Sequence, residues 1–188
     1  SRSFIHLEGS SPGWSQTAEP QFSQDLFDNL LLTEGPTWAL PSDTVRLLAR
    51  ASGFFAANRN DFKMQYDETM AVRAGECGLN FLLLIAFDKV TGLPYLPSNE
   101  TWNYCGFGNP GVAFKIFDSQ LRTPDKLRSY LDQVKTGDPV LLISVGRVRF
   151  DAFSNELVNE FTRIGCDPIN LRRLSNDEPY IAFGLKDA

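Results

Sequence analysis

"GLNFLLLIAFDKVTGLPY", residues 78–95, is the stretch on which the fold turns. Apart from Asn80, residues 79–87 are all apolar, and Asp88-Lys89 ends the run abruptly. A run without alternation has no polar face to offer water, so it fits a strand covered on both sides. Such a strand opens many cofactor-binding α/β units, and it also forms the centre of folds with no phosphate loop. The residues after it choose between the two. Asp88 and Thr91 can bond backbone groups and Gly92 can take a positive φ, so "DKVTG" reads as a hairpin turn rather than a helix N-terminus. The oxygen ligands that an EF-hand needs downstream are absent.

The other glycine-rich stretch gives no nucleotide site either. "CGFGNPG" carries a literal GxGxxG at Gly106, Gly108 and Gly111, but Pro110 lies inside it and a strand pattern, residues 112–117, follows. A dinucleotide fingerprint needs a helix there, whose N-terminus receives the pyrophosphate. No GxxxxGK[ST] occurs, and no cofactor is expected. A net charge of −5 argues against binding to a phosphate backbone, so nucleic acid is not an expected partner. No apolar run approaches the ~20 residues that span a bilayer, so membrane insertion is not expected. The single histidine, His6, removes most histidine-based mechanisms and any histidine-rich zinc site.

The cysteines are Cys77, Cys105 and Cys166, none of them in a CxxC pair. Cys77 precedes the apolar run and Cys105 precedes the next strand pattern. If those strands are neighbours the two sulfurs meet in a disulfide, which implies an oxidising compartment; otherwise they are two unpaired, partly buried thiols. Asn99-Glu100-Thr101 is an N-x-[ST] sequon, a glycan acceptor at Asn99 in a secreted eukaryotic protein and an accident of composition elsewhere.

The rest of the chain divides in two. Residues 1–41 are polar and rich in Ser, Pro and Gln, with one stretch, "FDNLLLTEGPTW", that could supply a strand. They read as an extension, or the tail of a preceding module in a larger protein. Residues 42–188 carry firmer patterns. Residues 45–51 have strand content, and Phe62, Met64 and Tyr66 alternate with polar neighbours at a period of two. In "TPDKLRSYLDQVKTGDP" Thr123 is expected as N-cap, Pro124 as the first helical residue and Gly137 as the stop. Leu127, Tyr130, Leu131 and Val134 form that helix's apolar stripe. "VLLISVG" is a buried strand. A second helix from Ser154 to about Ile164 buries Leu157, Val158, Phe161 and Ile164, and residues 169–171 and 180–185 are expected as closing strands.

Polar and aromatic residues collect where strands end. Asp118 follows the strand at 112–117, with Arg122 close by, and Arg147, Arg149 and Asp151 follow "VLLISVG". Carboxylates there either bind ligands or tie down loop amides. An Arg-plus-carboxylate patch beside Trp102, Tyr104 and Phe107 is a plausible sugar surface, with rings stacking on sugar faces and charged groups bonding hydroxyls. The bland alternative is a solvated rim. A catalytic carboxylate pair would need two groups ~5–9 Å apart across a cleft, and no pair stands out.

From about Thr44 to Lys186 the chain resembles the interleukin-like EMT inducer (ILEI) domain family. The resemblance rests on five stretches in order: "VRLLARASG", "GLNFLLLIAFDKVTG", "FKIFDS", "LRSYLDQVKTGDPVLLISVG" and "ELVNEFTRIGCDPINLRRLSNDEPYIAFGLK". It implies an α+β fold of two antiparallel sheets packed together, with two or three short helices outside, in an extracellular protein without catalytic activity. The family includes secreted cytokine-like proteins, the carbohydrate-binding stem domain of protein O-mannose N-acetylglucosaminyltransferase and modules of bacterial surface proteins. Asp118 matches the family's Phe-Asp aspartate. The family's Gly-aromatic-Arg-Asp before the last strand is here "SNDE", and its final-strand Trp is Tyr180. The expectation is therefore a secreted or cell-surface binding module for glycan or protein. Its ligand contacts are Asp118, Arg122, Trp102, Tyr104 and Phe107, and its neighbours are other domains of a parent chain. The alternatives are a structural module packing on neighbouring domains and a carboxylate-dependent hydrolase.

Overall fold

The computed structural model describes residues 3–10, 45–53, 62–66, 69–73, 77–108 and 111–187. The apolar run supplies strand β5 (Phe81–Phe87), and all seven of its side chains are buried. Strand geometry sends successive residues to opposite faces. Leu82, Leu84 and Ala86 enter one core, while Phe81, Leu83, Ile85 and Phe87 enter another. The lack of alternation thus reports two covers. Each fully buried leucine or isoleucine here is worth roughly 1.5–3 kcal/mol of transfer free energy.

Nine further strands join it: β1 (Ser3–Ser10), β2 (Val45–Ser52), β3 (Lys63–Tyr66), β4 (Thr69–Arg73), β6 (Pro94–Tyr95), β7 (Tyr104–Cys105), β8 (Ala113–Phe117), β9 (Pro139–Val145) and β10 (Ile181–Leu185). The main order is β4-β3-β2-β9-β5-β8-β7; β1 lies on β2, β10 on β9 and β6 on β5. Pairing is antiparallel except for β1 with β2 and β2 with β9. The described residues also hold three α-helices, α1 (Asp125–Gln133), α2 (Asn155–Thr162) and α3 (Pro168–Arg173), and three single turns of 3-10 helix. The protein is a mixed α/β structure, built on a curled, mostly antiparallel sheet.

The helices cover one face. Leu127, Tyr130, Leu131, Leu157, Phe161 and Leu171 pack with the even residues of β5. The odd residues meet Leu47, Ala49 and Ala51 of β2, Met64 of β3 and Val72 of β4. Two separate packed sheets were expected, yet the described strands form one hydrogen-bonded sheet. The join is narrow. β9 offers β10 its edge from Pro139 to Ile143, and β2 reaches that edge only at Ser52↔Val145. The sheet curls, and β2–β4 share a core with β5 and β9 while remaining bonded to them.

Local chemistry explains where sequence reading and structure differ. Residues 169–171 are helical, not a strand. Asp167 caps α3 by accepting from the Ile169 N–H at 2.8 Å, and Pro168 occupies the first turn. Thr123 does not cap α1; its hydroxyl donates to Asp125 at 2.9 Å, and the helix ends at Gln133, before Gly137. Ser154 does cap α2, accepting from the Leu157 N–H at 3.1 Å. In the "DKVTG" turn Asp88 Oδ1 accepts from the Val90 and Thr91 N–H groups at 2.9 and 3.0 Å. These bonds hold the Asp88 carboxyl below its ordinary pKa, the one from Thr91 first. Cys77 and Cys105 are at disulfide distance, with Cα atoms 5.7 Å apart, and Cys166 is a buried free thiol. The "FDNLLLTEGPTW" stretch lies outside the described residues.

A polar cluster at the end of the sheet

β5 begins, and β8 and β9 finish, at the same end of the sheet, because Phe81 faces both Phe117 and Val145. Asn80 joins the three. It adopts a left-handed φ of 62°, which asparagine tolerates better than most residues. Its backbone carbonyl accepts from the Asp118 N–H at 2.9 Å, and its side-chain Oδ1 accepts from the Arg147 N–H at 2.9 Å. Sequence reasoning passed over Asn80. The signal was there, a lone amide two residues after Gly78 at the mouth of an apolar run.

Asp118 sits at the middle of this end. Its Oδ2 accepts from Arg122 Nη2 at 2.7 Å and from Arg149 Nε at 2.8 Å, and its Oδ1 accepts from the Arg149 backbone N–H at 2.8 Å. The Asp118 side chain is 15% exposed, against 51% for Arg149. Arg147 Nε donates to Asp177 at 2.9 Å. Asp177 lies in the loop before β10, and that loop is held by Ser144, whose hydroxyl accepts from the Tyr180 N–H at 2.7 Å. Beyond Gly146 the strand has ended but burial still alternates: Arg147 and Arg149 are exposed, while Val148 and Phe150 are buried. Two anchors inside therefore set two guanidinium groups outside.

The five residues expected to contact ligand do not all gather here. Asp118 and Arg122 are bonded to each other. Trp102 is 58% exposed, and Lys126 Nζ, from the first turn of α1, lies 4.6 Å from its ring centroid. Lys126 also pairs with Glu100 at 3.0 Å, so Trp102 is tied to the helix that follows Asp118 and Arg122 in the chain. Phe107 is 52% exposed but lies past the Cys105↔Ala113 pair, at the start of β8, whereas Asp118 follows its end. At ~3.3 Å per residue the five residues of β8 separate the two by roughly 15 Å. Tyr104 is 7% exposed and packs edge-on against Phe114, while its hydroxyl accepts from the Ser98 N–H at 3.1 Å. Its ring is committed to the core, and burial pushes its hydroxyl pKa up to about 12. Asn99 is exposed on a bend.

Chemically, the cluster is a set of donors held in place by carboxylates. Asp118 spends both its oxygens on arginines and Asp177 accepts from Arg147 through Oδ1, and charge-assisted pairs of this kind fix direction as well as distance. Among the described residues no three His, Cys, Asp or Glu side chains gather in a way that could hold a metal ion, and no helix is long and apolar enough to cross a membrane. Neither a family model nor a curated protein matches the sequence.

Proposed function

We propose that this chain is a non-catalytic binding module of a secreted or surface protein, related to the ILEI domains, which takes a carbohydrate or protein ligand at the end of the sheet where β8 and β9 finish. The two halves of the curled sheet, meeting at Ser52 and Val145, would correspond to the two packed sheets of that family. The observation that carries the reading is the Arg122–Asp118–Arg149 arrangement, in which one carboxylate sets two guanidinium groups at the rim of a rigid sheet. Binding groups on a scaffold that does not have to reorganise lose little on capture. The partly exposed Trp102 ring adds a stacking surface next to the same segment. The cysteine pair is compatible with an oxidising compartment.

A glycan array probed with the wild type and with Arg149→Ala tests the carbohydrate half. Binding that Arg149→Ala abolishes supports it; an array without signal removes it and leaves a protein ligand. The structural-module alternative predicts instead that the Arg149 and Trp102 variants change nothing measurable except contact with neighbouring domains. A carboxylate-dependent hydrolase finds less support, because the two aspartates of the cluster are already paired with arginines.

A further inference from the structure

We infer that the sheet-end site selects an acidic sugar, a glycan carrying a carboxylate or a sulfate, over a neutral one; the inference rests on the carbohydrate reading above. It starts from how Asp118 is used. A carboxylate that contacts a neutral sugar accepts hydrogen bonds from hydroxyl groups. Asp118 already accepts three, from Arg122 Nη2, Arg149 Nε and the Arg149 backbone N–H. It acts as a template for arginines, and the groups that face solvent are donors.

The form of those donors narrows the ligand. Arg149 meets Asp118 through Nε and its own backbone N–H, and these bonds leave the Nη1 and Nη2 fork for another partner. A guanidinium held at Nε presents that fork in a fixed plane, with the geometry that matches the two oxygens of a carboxylate or sulfate. Arg147 is bonded through Nε to Asp177, and the burial of Val148 and Phe150 keeps both arginines on the outer side, so Arg149 is the one that presents the fork. A hydroxyl uses one such donor, whereas an anion uses two and gains from the charge.

The test is titration calorimetry with three oligosaccharides of equal length: an oligogalacturonate, a sulfated galactan and an unsulfated galactan. One of the two acidic oligomers should bind at least tenfold more tightly than the neutral one, with affinity falling as salt is added. The sulfated and uronic probes tell the two anion sources apart. Arg149→Gln should erase the tenfold margin, and Arg149→Lys, which keeps the charge but loses the fork, should recover only part of it. Both variants alter a half-exposed side chain, so an unchanged unfolding midpoint checks their fold. Equal affinity for acidic and neutral oligomers overturns the inference and leaves the sugar site standing. No binding by any of the three overturns both. A polyglutamate peptide that binds as tightly as the acidic sugars, with the same dependence on Arg149, assigns the site to protein ligands and overturns the glycan claim.

Discussion

Replacing Gly146 by alanine tests the junction that holds the site together. Gly146 has a φ of +70°, and a Cβ built there would lie 2.6 Å from Asn80 Oδ1 and 3.1 Å from Asn80 N. Two costs add. A left-handed backbone costs an L-residue about 1–2 kcal/mol. The methyl must also push the Asn80 amide away, which breaks its 2.9 Å bond from the Arg147 N–H. That bond is worth about 0.5–1.5 kcal/mol, towards the lower end here because water can reach the exposed Arg147. The sum is about 2–3 kcal/mol. Gly165 serves as the control: its φ is +77° and a Cβ there meets nothing within 4 Å, so alanine costs only the backbone share. Urea unfolding of both variants, at unchanged slope, should therefore show Gly146→Ala about 1 kcal/mol worse than Gly165→Ala. In an Asn80→Gly background most of that gap should vanish, because the colliding oxygen is gone and glycine also accepts a positive φ. Equal costs for the two glycines, or a gap that survives Asn80→Gly, would refute the argument that Asn80 braces the strand ends.

Other consequences can be measured in the same way. The Cys77–Cys105 pair has a sequence separation of 28, for which loop-closure entropy gives about 3.6 kcal/mol, so Cys77→Ala with Cys105→Ala, or reductant on the wild type, should lower the urea midpoint accordingly; a loss below ~1 kcal/mol would contradict the chain-entropy account. Asp167→Ala should destabilise α3 by about 1 kcal/mol through loss of its cap, read as faster amide exchange over the helix. Burial raises both Tyr95 and Tyr104 to about 12, Tyr95 also through its hydrogen bond to Asp138. With the folded pKa above the ordinary value of ~10, their contribution is complete below pH ~10 and fades as pH rises towards 12. Tyrosinate absorbance should show two groups titrating near pH 12, with Tyr130 and Tyr180, which burial raises further, ionising later still, and Tyr95→Phe should remove one of the two.

Much of the fold was legible where one local cause dominated. The β5 run is apolar throughout because both its faces are covered, and the "DKVTG" turn was readable because Asp88 makes its bonds within three residues. The stripes of α1 and α2 gave themselves away by period. α3 did not: six residues are too few to show a helical period, and the Asp167-Pro168 start was the only clue. The site was half legible. Strand ends after 117 and 146 pointed to Asp118, Arg147 and Arg149, but the Arg149–Asp118 pair joins residues 31 apart, and only the β5 pairings bring them together. Tyr104 misled because β7 is only two residues long, too short to reveal which face it buries. Phe107 and Asp118 looked like neighbours because they flank one strand, and a strand holds its two ends apart.

The divided edge of β9 bears on how the chain is made. During synthesis β9 can pair with β5 as soon as residue 145 has emerged, but its other edge waits for β10, with two helices to be made in between. For that interval an apolar strand, Val140–Val145, shows unpaired amides and carbonyls, held back from one flank only by the contact at Ser52. Exposed edges of this kind recruit other chains. A nascent or truncated polypeptide stopped short of Ile181 should therefore depend on a chaperone to stay soluble, and β10 closes the assembly as well as the sheet.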